Sequence, residues 1–375
     1  MPKPPPTGEL PLRDPHPAGR PTIFGLQALR FIAATMVVMT HTLNREVTLY
    51  ANPPVPRAAW MEAGVDIFFV ISGFIMVYII TPQTRSGPFW LQRFTRIAPL
   101  YWVATAVAFL GGLALPEWFF GQHDLWFALR SALFLPMGPD ANSHPIISPG
   151  WTLIYEFAFY TLLALCMLVR RPPFVLATAI IGINLVFGML VSRWQPALAF
   201  YADGLLMLEF LFGMAVAATV GALRLKPWHG LVLSTVGLIL IAIMWYLPLG
   251  QGSLLSARGI KIGVPALLTV TGILVSEPLW QHHRAMTWFA RLGDASYSIY
   301  IIHLFLVTAL TTLFHENPAL REVFGPYGFI VLAMVVGLGA GFLAHIYVER
   351  PLLALVRGWL PRRHPAPRVA TAAKV

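Results

Sequence analysis

The sequence predicts an all-α, polytopic membrane protein with about ten transmembrane helices. Of its 375 residues, 57% are hydrophobic and only 11% are charged, and the mean hydropathy is +0.68. A soluble core of this chain length cannot bury so large an apolar fraction. The apolar residues also form runs close to the ~20 residues that an α-helix needs to cross a bilayer. Lysine and arginine lie between these runs, so the net charge of +10 reflects membrane topology and not a nucleic-acid surface.

Ten apolar runs of roughly 16 to 21 residues match the length of a membrane span. They are residues 26–43, 65–80, 97–115, 151–169, 174–191, 205–223, 231–249, 260–275, 296–313 and 328–348. An eleventh run, residues 125–135, is too short to cross and contains Arg130, so we expect an interfacial or re-entrant segment there. The single cysteine, Cys166, excludes an internal disulfide and a cysteine-built metal site.

The distribution of basic residues predicts the orientation. If the N-terminus is cytoplasmic, ten spans return the C-terminus to the same side, and all but seven of the 26 lysines and arginines fall on that side. We therefore expect residues 1–21, which are rich in proline, to form a disordered cytoplasmic tail. Residues 22–352 would form the ten-helix membrane domain, and residues 353–375 a basic cytoplasmic tail. The first apolar run reaches full membrane length, so no cleaved signal peptide is predicted.

Arg30 and His41 are the first candidate functional pair. On a helix, the eleven-residue step between them turns about three full circles plus 20° and climbs about 16 Å, so both side chains share one face. A charge and an imidazole on a membrane-length helix favour the protein interior or an aqueous cavity. The alternative is that Arg30 reaches the lipid headgroups and His41 caps a helix end.

The predicted topology collects Arg30, Arg93 and Arg96 at the cytoplasmic ends of their helices. Guanidinium groups match phosphate oxygens in geometry and charge, so the three arginines indicate a site for a phosphorylated cytosolic ligand. For each arginine taken singly, a topology anchor is the more typical role.

His41, Asp66 and Glu156 fall near the outer ends of the first, second and fourth runs. A histidine beside a carboxylate is a candidate general base with an orienting partner. The alternative is a buried, hydrogen-bonded trio that only fixes helix packing.

Other polar residues indicate structural roles. Ser72 and Gly73, near the middle of the second run, favour close helix packing because their side chains are small. His303 falls deep in the ninth run, where a neutral imidazole is typical of a satisfied core residue. Glu349 beside Arg350 predicts a boundary ion pair, and residues 174–275, which hold few polar side chains, are expected to be scaffold.

Six blocks resemble, in order, the signature blocks of the acyltransferase-3 family, multi-pass bacterial enzymes that O-acylate extracytoplasmic glycans and related acceptors. The blocks are LQALRFIAATMVVMTH, GVDIFFVISGFIM, FWLQRFTRIAPLYW, SPGWTLIYEFAFY, LGDASYSIYIIH and YVERPL. They extend over residues 26–352, and the first is most similar to the exopolysaccharide O-acetyltransferase branch. Two positions depart from the family pattern: Thr152 stands in place of the usual serine, and Phe157 follows Glu156 where the family has a second acidic residue.

The resemblance implies an O-acyltransferase of the bacterial inner (cytoplasmic) membrane. Such an enzyme moves an acyl group from cytosolic acyl-CoA, here expected to be acetyl-CoA, to a hydroxyl of an extracytoplasmic or lipid-linked saccharide. Its partners would be acyl-CoA, the saccharide or glycolipid acceptor and membrane lipids, with no metal and no nucleic acid; a homo-oligomer is compatible with it. The catalytic residues implied are His41, Glu156 and Asp66. The donor-binding residues implied are Arg30, Arg93, Arg96, Ser72 and His303.

Two other classes of protein stay open. A transporter that flips a lipid-linked saccharide would use the same polar residues as a path, and internal symmetry would favour it, yet no convincing repeat relates residues 26–191 to residues 205–348. A non-catalytic partner in a polysaccharide assembly complex would tolerate loss of the polar residues without loss of acylation. The enzymatic interpretation requires a continuous passage from the arginines to His41.

Overall fold

The computed structural model describes residues 22–50, 58–114, 124–137, 144–169, 172–191, 205–222, 224–248, 257–280 and 283–359. Within these ranges the chain is helical and forms no strand, which confirms the all-α prediction. The helices are α1 (Phe24–Leu49), α2 (Gly64–Ile79), α3 (Ser86–Ala114), α4 (Leu125–Ala132), α5 (Gly150–Cys166), α6 (Pro173–Val191), α7 (Met207–Thr219), α8 (Pro227–Tyr246), α9 (Arg258–Lys261), α10 (Gly263–Trp280), α11 (Arg284–Asp294), α12 (Ser296–Glu316), α13 (Pro318–Ala344) and α14 (Arg350–Trp359). A 3₁₀ turn, Ala59–Ala63, precedes α2, and a π-helical turn, His345–Glu349, joins α13 to α14.

Each of the ten predicted runs falls on a helix. In the described part of the chain, eight helices are long and apolar enough to cross a membrane, and the two shorter apolar helices α5 and α7 match the fourth and sixth runs. The protein is therefore a polytopic membrane protein, while ten crossings and cytoplasmic termini stay predictions. Residues 1–21 and 360–375 lie outside the described residues, and residues 353–359, assigned to the basic tail, belong to α14.

Helix α4 forms where the short eleventh run predicts a segment that does not cross. Its eight residues rise only about 12 Å. Its N-terminus is capped by Asp124, whose carboxylate accepts from the Phe127 N–H at 2.8 Å. Its C-terminal end is tied to α3, because Tyr101 shares a 2.8 Å hydrogen bond with Ser131 and the Trp102 indole donates to the Ala132 carbonyl.

Helix α2 packs closely against α7 through two glycines. A Cβ added at Gly73 would lie 2.1 Å from the Phe210 carbonyl oxygen, and one added at Gly213 would lie 2.0 Å from the Val70 carbonyl oxygen. Small residues let membrane helices approach to backbone contact. The packing role predicted for Gly73 is confirmed.

Helix α1 is fixed at its start by Glu277 of α10. The Phe24 and Gly25 N–H groups, which have no partner inside the helix, donate to the two carboxylate oxygens of Glu277 at 2.7 and 2.8 Å. A negative charge at a helix N-terminus is also favoured by the helix dipole. These bonds set the position of α1 and hence of Arg30 and His41, which it carries.

Candidate active site

A cavity of about 140 Å³ lies among α1, α2, α3, α5 and α12. Along α2 its lining extends from Val65 to Met76, which corresponds to a length of about 16 Å. The wall is largely apolar and aromatic. Its polar lining residues are Arg30, Ser72, Arg93, Arg96, Thr152, Glu156, Tyr160, Ser296, Tyr297 and Tyr300.

One end of the cavity carries the three predicted arginines. Arg93 and Arg96 are three residues apart on α3 and so share a face, and Arg30 comes from α1. Arg30 donates to the Gln27 amide oxygen at 3.1 Å. The Nε atom of Arg93 is buried and has no hydrogen-bond partner among the described residues. With three guanidinium groups and a single carboxylate on the lining, this end carries an excess of positive charge, which is complementary to an anion.

Glu156 lies with these arginines and not with His41. Its carboxylate accepts from the Ser72 hydroxyl at 2.8 Å and, on the same oxygen, from the Tyr160 hydroxyl. The predicted grouping of Glu156 with His41 is therefore not found, since Glu156 lines the cavity and His41 does not. Glu156 lies about 9 Å into α5, which begins at Gly150, and its position near the outer side of the membrane stays a prediction. Ser72, predicted both for packing and for the donor site, lines the cavity, and its donor-site role stays a prediction.

Tyr160 and Thr152 are site residues that the motifs alone did not assign. Tyr160 stands four residues after Glu156, a spacing that puts two helical side chains in contact. The Thr152 hydroxyl shares a 2.9 Å hydrogen bond with the Tyr300 hydroxyl, so a hydroxyl still occupies the position where the family has serine.

Asp66 is fully buried and paired with Arg258. The guanidinium donates through Nη2 to Oδ2 at 2.8 Å and through Nε to Oδ1 at 3.1 Å, and it also reaches the Glu62 carboxylate at 3.5 Å. No hydrogen bond joins Asp66 to His41 in the described structure, so the proposed orienting contact is not formed. The described ranges hold no group of three His, Cys, Asp or Glu residues suited to a metal.

His41 faces His303 of α12. The two ring centroids are 5.2 Å apart. His303 is fully buried, and its Nδ1 lies 3.0 Å from the Ile299 carbonyl oxygen. Since a carbonyl only accepts, the proton is assigned to Nδ1, and Nε2 is left without a hydrogen-bond partner among the described residues. His303, assigned from the sequence to the donor site, lies against His41 instead of the arginines.

The cavity ends at Tyr300 before it reaches His41. The Tyr300 hydroxyl donates to the Pro149 carbonyl at 3.1 Å and contacts Thr152, and its ring centroid is 6.3 Å from that of His303. Neither histidine is among the residues that line the cavity. The cavity therefore does not extend from the arginines to His41, as the continuous passage in the sequence interpretation required.

Glu349 faces the arginine end instead of forming a simple boundary pair. Its buried carboxylate accepts from Arg96, from the Ser298 hydroxyl at 2.5 Å and from His345 Nδ1 at 2.7 Å. The π-helical turn that contains Glu349 directs it inward. Such turns are frequent at functional sites.

Known proteins resemble this chain over most of its length. A family model described as an acyltransferase domain matches residues 23–346. The chain is 31% identical over 302 residues to the exopolysaccharide production protein ExoZ of Rhizobium meliloti, which covers 78% of this chain and 89% of that protein. It is 27% identical over 381 residues to acyltransferase MdmB of Streptomyces mycarofaciens, covering 92% and 94%. It is 25% identical over 333 residues to peptidoglycan O-acetyltransferase OatA of Listeria monocytogenes, covering 78% of this chain and 50% of that protein. No solved structure matches the chain.

The family match covers nearly all of the described helices, including those that form the cavity. It agrees with the resemblance carried by the six sequence blocks and with a polytopic membrane fold. The chain belongs to the acyltransferase-3 family and is a membrane O-acyltransferase.

Proposed function

We propose that the protein transfers an acyl group, acetyl above all, from cytosolic acyl-CoA to a saccharide hydroxyl across the bacterial cytoplasmic membrane. The observation that carries this proposal is the cavity with three arginines at one end and a long apolar wall. The names of ExoZ and OatA, which concern exopolysaccharide and peptidoglycan, support a polysaccharide or its lipid-linked precursor as the acceptor.

The arginine end would hold the phosphates of the donor. Arg93 has an unpartnered buried Nε, and Arg30 is bonded only to a neutral amide among the described residues, so both keep donors for an anion. The thiol arm of CoA is a narrow, flexible chain, and it would lie along α2 against Phe68, Ile75 and Met76. In this arrangement Glu156 and Ser72 face the arm and not the acceptor.

His41 would act as the general base for the acceptor. The acceptor oxygen attacks the thioester carbonyl, its proton passes to the imidazole, the carbon–sulfur bond breaks, and the imidazole returns the proton to the CoA thiolate. Such general-base help is typically worth about 10² to 10⁴ in rate. Since Tyr300 and His303 separate the cavity from His41, the proposal requires these two side chains to move when both substrates bind.

The proposal is tested in membrane vesicles that carry the purified protein, with labelled acetyl-CoA and an oligosaccharide or polysaccharide acceptor. His41→Ala is expected to lower turnover about 100-fold or more at saturating donor. Arg93→Ala is expected to raise the donor KM at least about tenfold while turnover persists. The matched controls are His315→Ala and Arg85→Ala, since both side chains are exposed and neither lines the cavity.

Normal transfer by the His41 variant would exclude the base role, and an unchanged donor KM in the Arg93 variant would exclude the donor site. Mass spectrometry of surface polysaccharide from cells with and without the gene identifies the acceptor, because one acetyl group per modified sugar is then gained or lost.

A further inference from the structure

Glu349 stands directly behind one of the cavity arginines. It is 1% exposed, lies in the π-helical turn after α13, and is not part of the cavity lining. One carboxylate oxygen accepts from Arg96 Nη1, and the other accepts from Ser298 and His345. Ser298 and His345 therefore position one oxygen of the carboxylate, and the other oxygen binds the Arg96 guanidinium.

Arg96 is held from a second direction as well. Its guanidinium carbon lies 5.8 Å from the centre of the Tyr297 ring, and the Tyr297 hydroxyl donates to the Ile97 carbonyl at 2.6 Å. The Arg96 side chain is 29% exposed, so part of the guanidinium faces the cavity. Two neighbouring arginines act on Arg96 with the same charge, and Coulomb repulsion between like charges is strong in a low-dielectric interior.

We propose that Glu349 is a positioning residue for the acyl donor. It occupies one amino group of Arg96, offsets the repulsion from the other arginines, and so keeps the remaining N–H groups of Arg96 directed into the cavity. Glu349 does not touch the donor and acts only through Arg96. A donor group that is oriented before binding loses less side-chain entropy when the ligand arrives. This inference rests on the donor site proposed above.

The test is a double-mutant cycle on donor KM and kcat in proteoliposomes. Glu349→Ala is expected to raise the KM for acetyl-CoA about tenfold with kcat within about twofold, because an Arg96 contact to phosphate is weakened and the chemical step is not. In an Arg96→Ala background, Glu349→Ala is expected to raise the KM no further. The control is Glu322→Ala, which removes an exposed glutamate of α13, a helix that contributes no residue to the cavity lining.

Glu349→Gln guards against misfolding, since it fills the same volume and keeps an acceptor oxygen for Arg96. Its KM is expected to rise about threefold, again only when Arg96 is present. Three results would overturn the role: effects of Glu349 and Arg96 that multiply, a fall in kcat at constant KM, or an unchanged KM in both Glu349 variants. If Arg96→Ala also leaves the donor KM unchanged, both the donor site and the positioning role of Glu349 are refuted. If Arg96→Ala raises the donor KM but the Glu349 variants do not, only the positioning role of Glu349 is refuted.

Discussion

Replacing Asp66 with alanine is expected to cost about 3 kcal/mol of unfolding free energy. Removing one partner of a buried ion pair typically costs about 3 to 5 kcal/mol, because the other charge is left in low-dielectric surroundings. Because Asp66 is fully buried, its burial alone would put the loss of unfolding free energy near the upper end of this range. The Arg258 side chain is 25% exposed, lies over the Trp245 ring at 5.2 Å and also reaches Glu62, so it keeps other partners and the lower value applies.

The measurement is unfolding of the purified protein in mixed micelles of increasing SDS fraction, followed by tryptophan fluorescence. Asp66→Ala, Arg258→Ala and the double variant form a cycle, and the double variant is expected to lose little more than the worse single variant. Glu62→Ala is the matched control. Its carboxylate is 42% exposed and 3.5 Å from Arg258, so its loss should cost at most about 1 kcal/mol.

This cycle also separates the two roles considered for Asp66. A structural residue lowers activity only as far as it lowers the amount of folded protein. Wild-type stability together with lost turnover in Asp66→Ala would refute the structural reasoning and return Asp66 to the catalytic group. Losses that simply add would show that Asp66 and Arg258 do not act as a pair.

Three further substitutions test the fold and the closed passage. Gly73→Ala should lower the unfolding free energy of the protein by about 1 to 3 kcal/mol in the same assay, because the new Cβ would lie 2.1 Å from the Phe210 carbonyl oxygen. Gly87→Ala is the control and should leave the unfolding free energy unchanged, since no atom lies within 4 Å of the added Cβ. Glu277→Ala should cost about 1 kcal/mol, the usual cost of losing a helix N-cap, and an unchanged midpoint would show that α1 does not depend on this contact. Tyr300→Phe should raise acceptor-independent hydrolysis of acetyl-CoA about fivefold or more, because the ring loses two hydrogen bonds, to Pro149 and Thr152, worth about 1 kcal/mol each. Unchanged hydrolysis would mean that Tyr300 does not limit access of water to the cavity.

The helices could be predicted from the sequence because a bilayer imposes a length and a composition on each span. The contacts between helices could not, because the rotation and depth of each helix depend on packing partners far away in the chain. Asp66 and Arg258 are 192 residues apart, and Arg96 and Glu349 are 253 residues apart. The predicted topology grouped Arg30, Arg93 and Arg96, and all three line the cavity. The same counting grouped Glu156 with His41, but Glu156 lines the cavity and His41 does not.

The charge on the cavity lining gives the strongest physical reason to expect an anionic ligand. Three arginines and one glutamate line the cavity. Burying an unpaired cation in a low-dielectric site costs a large desolvation free energy. Glu349 pairs with Arg96, but neither Arg30 nor Arg93 forms an ion pair with a described residue, and the Glu156 carboxylate is occupied by Ser72 and Tyr160. A site that served only to pack helices would gain from replacing Arg93 with an apolar residue of similar volume. Arg93→Met should therefore stabilise the protein or leave its stability unchanged while it raises the donor KM; a clear loss of stability with an unchanged KM would show that Arg93 serves the fold and not the ligand.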